Sequence, residues 1–204
     1  MSTIKSILLL VALAVGNVYA QEMGRMTMQC NEQPTPAIDE QLAMINADPA
    51  KMDSKHLECI FSYMDGLSKG KDQRATASIA RYLDVHNPRS AAEHPIGSGN
   101  WFGGEFPAVQ YIVQYRQLAI PVLIDTIKRE AGLTLKAKNA VAALMLIEAP
   151  DPPTGVSMLA NEARKTQGSS SQSLTEAARF AVDSWQCRQL QSECRNALSP
   201  SSHF

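Results

Sequence analysis

From Thr35 to Trp185 the chain repeats one pattern. Apolar residues recur three and four positions apart for about a dozen residues, and a proline, a glycine or a capping side chain then ends the run. Thr35-Pro36 reads as a cap followed by proline at the first helical position, with Ile38, Leu42 and Ile45 on one face. Asp53 or Ser54 opens a second helix striped by Leu57, Ile60, Phe61, Met64 and Leu67, which Gly66 or Gly70 ends. A third runs from about Asp72 to Val85, with Ala75, Ile79, Tyr82 and Leu83 inward, and Asn87-Pro88 stops it. Pro107 starts a short helix carrying Val109, Ile112 and Val113, and Pro121 opens another carrying Leu123, Ile124 and Ile127, broken by Gly132. Thr134 caps a helix from Leu135 to Ala149 with Ala137, Ala140, Val141, Leu144 and Ile147 on one side.

The remaining stretch continues the pattern. Asp151-Pro152-Pro153 predicts a turn, and Val156, Leu159, Ala160 and Ala163 stripe the helix after it. Gly168 to Ser171 reads as a flexible bridge, and Ser173-Leu174-Thr175-Glu176 as a capping box ahead of Leu174, Ala177, Ala178, Ala181 and Trp185. No sustained alternation of apolar and polar residues occurs beside hairpin turn signals, so the fold class is all-α.

Leu123 aligns with Leu159 and Val141 with Ala181, offsets in the range at which helix pairs stack into α-solenoids. Here the chain resembles the HEAT-repeat family. Ala119-Ile120-Pro121-Val122-Leu123-Ile124 is similar to its first-helix motif, and Lys138-Asn139-Ala140-Val141-Ala142-Ala143-Leu144 to its second helix. Phe106-Pro107-Ala108-Val109 through Leu118-Ala119-Ile120-Pro121 resembles a junction between repeats. The likeness is best over 105–150, weaker over 153–188 and loose over 54–86. The family's acidic turn residue is missing around Ala131-Gly132-Leu133, and its arginine is represented by Lys136 or Lys138. The resemblance implies a short α-solenoid of HEAT-like helix pairs that presents a surface to another protein; a disulfide-bonded helical bundle is the competing architecture.

The start of the chain bears on compartment. Lys5 precedes an apolar run from Ile7 to Val15, and Val18-Tyr19-Ala20 supplies small residues for cleavage, the layout of a secretory signal peptide over 1–20. That run is shorter than the roughly 20 residues a bilayer span needs. The mature chain, 21–204, then reads as one exported domain, periplasmic or secreted. Cys30, Cys59, Cys187 and Cys194 all lie in it, an even count that suits two disulfides. Of three connectivities, the neighbouring pairs Cys30–Cys59 and Cys187–Cys194 are favoured. On one unbroken helix, however, Cys187 and Cys194 would stand about 10.5 Å apart, beyond the roughly 7 Å a disulfide allows. Nineteen basic against 20 acidic residues leave no cationic surplus for nucleic acid.

The longest departure from helical patterning is 87–105. Long irregular loops in compact domains tend to carry function, and this one holds Arg89, Glu93, His94, Asn100, Trp101 and Phe102 just past Asp84 and His86. Trp101 and Phe102, with Tyr111 and Arg116 nearby in sequence, are the candidate contacts to an unidentified protein partner, because Trp, Tyr and Arg dominate interface energetics. They also suit a plainer role, anchoring the loop to the helices. The competing reading is a small exported enzyme with a site under the loop and His86 or His94 as general base. Asp84, His86, Glu93 and His94 lack the spacing of a metal site, and Met23, Met26 and Met28 make only a weak case for copper(I). Ser98 in Gly97-Ser98-Gly99 has no strand and helix to form a nucleophile elbow. No motif asks for a cofactor.

Overall fold

The computed structural model describes residues 36–88, 105–148 and 151–183, together with Glu193 and Arg195. These form eight α-helices and no strand: α1 (Ile38–Ile45), α2 (Ser54–Lys69), α3 (Thr76–Ala80), α4 (Pro107–Val113), α5 (Ile120–Arg129), α6 (Leu135–Ile147), α7 (Pro152–Lys165) and α8 (Ser169–Asp183). Short 3-10 turns at Pro49–Lys51, Gln73–Ala75 and Arg116–Leu118 fill the corners.

The starts and stops follow from side chains that satisfy free amides. Asp53 accepts from the His56 N–H at 2.9 Å to open α2, and Thr134 accepts from the Ala137 N–H at 3.2 Å to open α6. Glu40 reaches back to the Ala37 N–H at 3.3 Å at the head of α1. Prolines occupy the first turns of α4, α5 and α7, where the missing donor costs nothing.

Six helices arrange as two layers. The paired Asp39 and Arg74, 2.9 Å apart, put the start of α1 beside the chain leaving α2, so α1 and α2 run antiparallel. α3 packs on α1 and on α5, and its end is fastened to the end of α1: Ser78 Oγ donates to Asn46 Oδ1 (2.5 Å) and Tyr82 OH to Ala47 O (2.9 Å). α4 lies between α2 and α6 in the second layer. Gln117 Nε2 donates to Glu148 Oε1 (2.8 Å) at the far ends of α4 and α6. At the near ends, Asn139 Nδ2 donates to Leu83 O (2.6 Å) and Lys136 pairs with Asp84 (3.2 Å). Thus α1, α3 and α5 form one layer, and α2, α4 and α6 the other. α8 packs on α7, α5 and α6 and closes the end of the stack. The core between the layers is built from fully buried Ile45, Met64, Ile79, Leu83, Ile112, Leu123, Ile127 and Leu144.

Several boundaries differ from the sequence expectation. α1 starts at Ile38, which is 53% exposed, while Gln41 takes the buried place beside Leu42 and Ile45. The third helix is a 3-10 turn plus the five residues of α3, since the backbone beyond Ala80 tightens to i−3 bonds, Arg81 N–H to Ser78 O and Tyr82 N–H to Ile79 O, while the Arg81 and Tyr82 side chains bond the 46–47 corner. Pro152 and Pro153 begin α7 and do not form a turn before it. The bridge and capping box around Gly168–Glu176 are also corrected. Gly168 (φ +69°) delivers the chain straight into α8 at Ser169, so Ser173 lies inside the helix and is 3% exposed. Its hydroxyl donates to Glu130 O (2.8 Å) and accepts from the Gly132 N–H (3.3 Å), pinning the α5–α6 corner; Glu176 instead accepts from Gln172.

Candidate functional site

The root of the 87–105 loop is where α3 hands over to α4. Asn87 N–H donates to Glu105 O at 2.8 Å, which brings the two ends of the loop together. Beside this bond the His86 Nε2 stands 3.3 Å from Glu105 Oε1, and the His86 ring meets the buried Phe106 ring edge-on, centroids 5.7 Å apart. Asp84 and Lys136, 3.2 Å apart, flank the same place. An acid–imidazole contact, a backbone bond and an aromatic contact thus hold residues 86–87 against 105–106 as a neck. Trp101, Phe102 and His94 lie outside the described residues, as do Arg89 and Glu93.

The other two predicted contacts lie on and just past α4. Tyr111 sits midway along α4, half-buried; burial raises its phenol above the usual range, with a smaller push from Asp65 across on α2. Arg116 lies beyond the far end of α4, exposed, with φ +51°. Ten residues of helical rise from Phe106 place it about 15 Å from the neck. Exposed Leu118 (47%) stands next to it. Of the candidate contacts among the described residues, Tyr111 thus lies within α4 and Arg116 beyond its end.

Two further polar groups are buried in this region. Asn139, 2% exposed, holds the end of α3 through the Leu83 carbonyl. Tyr115, 3% exposed, has a buried hydroxyl with no hydrogen-bond partner among the described residues, and burial, with a smaller push from Asp72, moves its phenol up to about 12. The polar letter in an apolar stripe was the available signal for Asn139; for Tyr115 it was the spacing, three after Ile112 and four after Tyr111.

What the neck can do chemically is limited. His86 is exposed, it touches one carboxylate, and no described serine, threonine or cysteine stands by it as a nucleophile. Among the described residues no group of three or more His, Cys, Asp or Glu side chains could hold a metal ion. No helix among them is long and apolar enough to cross a membrane. A cleft of about 590 Å³ opens on the other side of the molecule, at the α7–α8 turn, lined by Gln167, Ser171, Gln172, Thr175, Glu176 and Arg179. It is open to solvent and has no aromatic wall, so it offers little to a small ligand. No protein-family model, curated protein or solved structure matches the chain.

Proposed function

We propose that the protein is an exported helical-repeat module that binds another protein through the side of the stack from which the 87–105 loop emerges. The observation that supports this reading is the layering, α1, α3 and α5 on one side and α2, α4 and α6 on the other, an order that suits stacked helix pairs. Such a stack serves as a rigid scaffold for loops, and the neck at Asn87 and Glu105 joins the two ends of the 87–105 segment at its middle pair. Trp101 and Phe102 are its anchors, and Tyr111 lies on the helix that the loop leads into. Arg116, at the opposite end of α4, belongs to a separate patch with Leu118.

The export half of the proposal rests on the signal-like segment 1–20 and on oxidised cysteines. Cys59, the one cysteine among the described residues, is disulfide-bonded, which suits the periplasm or the medium. Trp101→Ala tests the binding half. The proposal predicts an unchanged helical circular-dichroism spectrum and melting temperature, together with loss of a partner that the native chain retains in cross-linked capture from its envelope fraction. Retention of the same partner by the variant would overturn it. The enzyme reading makes a different demand: a turnover found with the native chain must vanish in His86→Ala or His94→Ala.

A further inference from the structure

We propose that the segment ahead of α1, residues 21–35, is fastened by a Cys30–Cys59 disulfide across the outward side of α2, where it caps the first helix pair of the stack. The first observation is an uneven exposure along α2. Lys55, Ser62, Gly66 and Lys69 lie on the side away from its buried stripe, and all are exposed. Glu58 and Cys59 share that side of the helix yet are only half-exposed, and both are engaged in interactions. Something covers the outward side at this one level.

The second observation is that Cys59 is disulfide-bonded, and the fold ranks its three possible mates by reach. Cys187 lies four residues past Asp183, the end of α8. Four residues extend at most about 14 Å. α8 touches neither α2 nor α4 closely: α4 and α6 stand between α8 and α2. Three interaxial spacings amount to roughly 24–30 Å, so Cys187 cannot arrive. Cys194, eleven residues past Asp183, spans that gap only on a tether drawn out close to its limit of about 36 Å, so it ranks behind Cys30.

Cys30 has the reach. Asp39 and Arg74 fix the start of α1 level with the end of α2. From there back to Cys59 is about 15 Å along the α2 axis, and the eight residues from Cys30 to Ile38 extend to about 28 Å. A chain held at both points must cross the outward side of the pair. Terminal repeats of a solenoid need such a cover, since their outer side has no neighbouring repeat.

The test is a tryptic map of the exported protein without reduction. The proposal expects the Cys30 peptide, 26–51, joined to the Cys59 peptide, 56–69, and 180–188 joined to 189–195. Finding 56–69 joined to 180–188 or to 189–195, or alkylated as a free thiol, would overturn it. Hydrogen exchange then tests the cap. Cys30→Ser and Cys59→Ser should each speed exchange in α1 and α2 by about tenfold or more, the double variant matching either single one, with α7 and α8 unchanged. Unaltered exchange in α1 and α2 would contradict the cap even if the bond exists.

Discussion

Lys71 sits in the left-handed region at φ +53°, one position after a glycine that does not use its own freedom, since Gly70 has φ −73°. The Asp72 N–H bonds Leu67 O at 3.2 Å and the Lys71 N–H bonds Ser68 O at 3.1 Å, a Schellman ending with lysine at the position glycine prefers. Lys71→Gly should therefore stabilise the fold by about 1 kcal/mol, read as a higher denaturation midpoint at constant slope; a lower midpoint would show that the lysine side chain does structural work there. Tyrosines supply a second contrast. Tyr82 donates its hydroxyl to Ala47 O, whereas Tyr115 donates to nothing among the described residues. Tyr82→Phe should cost about 1 kcal/mol, and Tyr115→Phe should cost nothing or stabilise. Burial pushes both phenols up to about 12. Since the folded state then holds these protons more tightly than the unfolded chain, whose tyrosines titrate near 10, their contribution is complete below pH 10 and declines as pH rises from 10 towards 12. Denaturation series across that window should show the decline, and it should shrink in Tyr82→Phe.

At the scale of elements, polar side chains inside apolar stripes set where helices meet. Ser173 is one: the sequence pattern Ser-x-x-Glu suggested a cap, but the hydroxyl bonds the α5–α6 corner at Glu130 and Gly132. Ser173→Ala should cost about 1–2 kcal/mol by leaving buried groups unpaired, while Glu176→Ala should cost no more than a few tenths. The reverse ranking in thermal melts would restore the capping box. Asn139→Ala should cost about 1–3 kcal/mol for the same reason, because it strips the Leu83 carbonyl of its buried donor. The helices themselves were legible wherever a stripe was long: Leu57 to Leu67 and Val156 to Ala163 stand on α2 and α7 as the spacing indicated. Ends were less so, since α3 stops where the backbone tightens to i−3 bonds past Ala80 and α8 starts directly after Gly168 in its left-handed conformation, neither of which apolar spacing reports. The candidate site was legible only as a loop. That Tyr111 and Arg116 fall on different levels of α4 follows from where Pro107 starts the helix and where Arg116 leaves it.

On the scale of the whole molecule, local bonds make a stack whose corners are stitched in order along one side. The 46–47 corner accepts from the end of α3, and the end of α3 accepts from α6. The loop neck at His86 and Glu105 lies in the middle of that row, held by the same corner that Asn139 secures. The proposed binding surface is therefore on the stitched side, and the polar face of α8 around Arg179 is remote from it. A photo-cross-linking residue placed at position 101, with a control at position 179, tests this most directly in cells that export the protein. The account predicts one discrete protein adduct from position 101 and none from 179. Equal adducts from both positions, or none from 101 while 179 captures a partner, would contradict it.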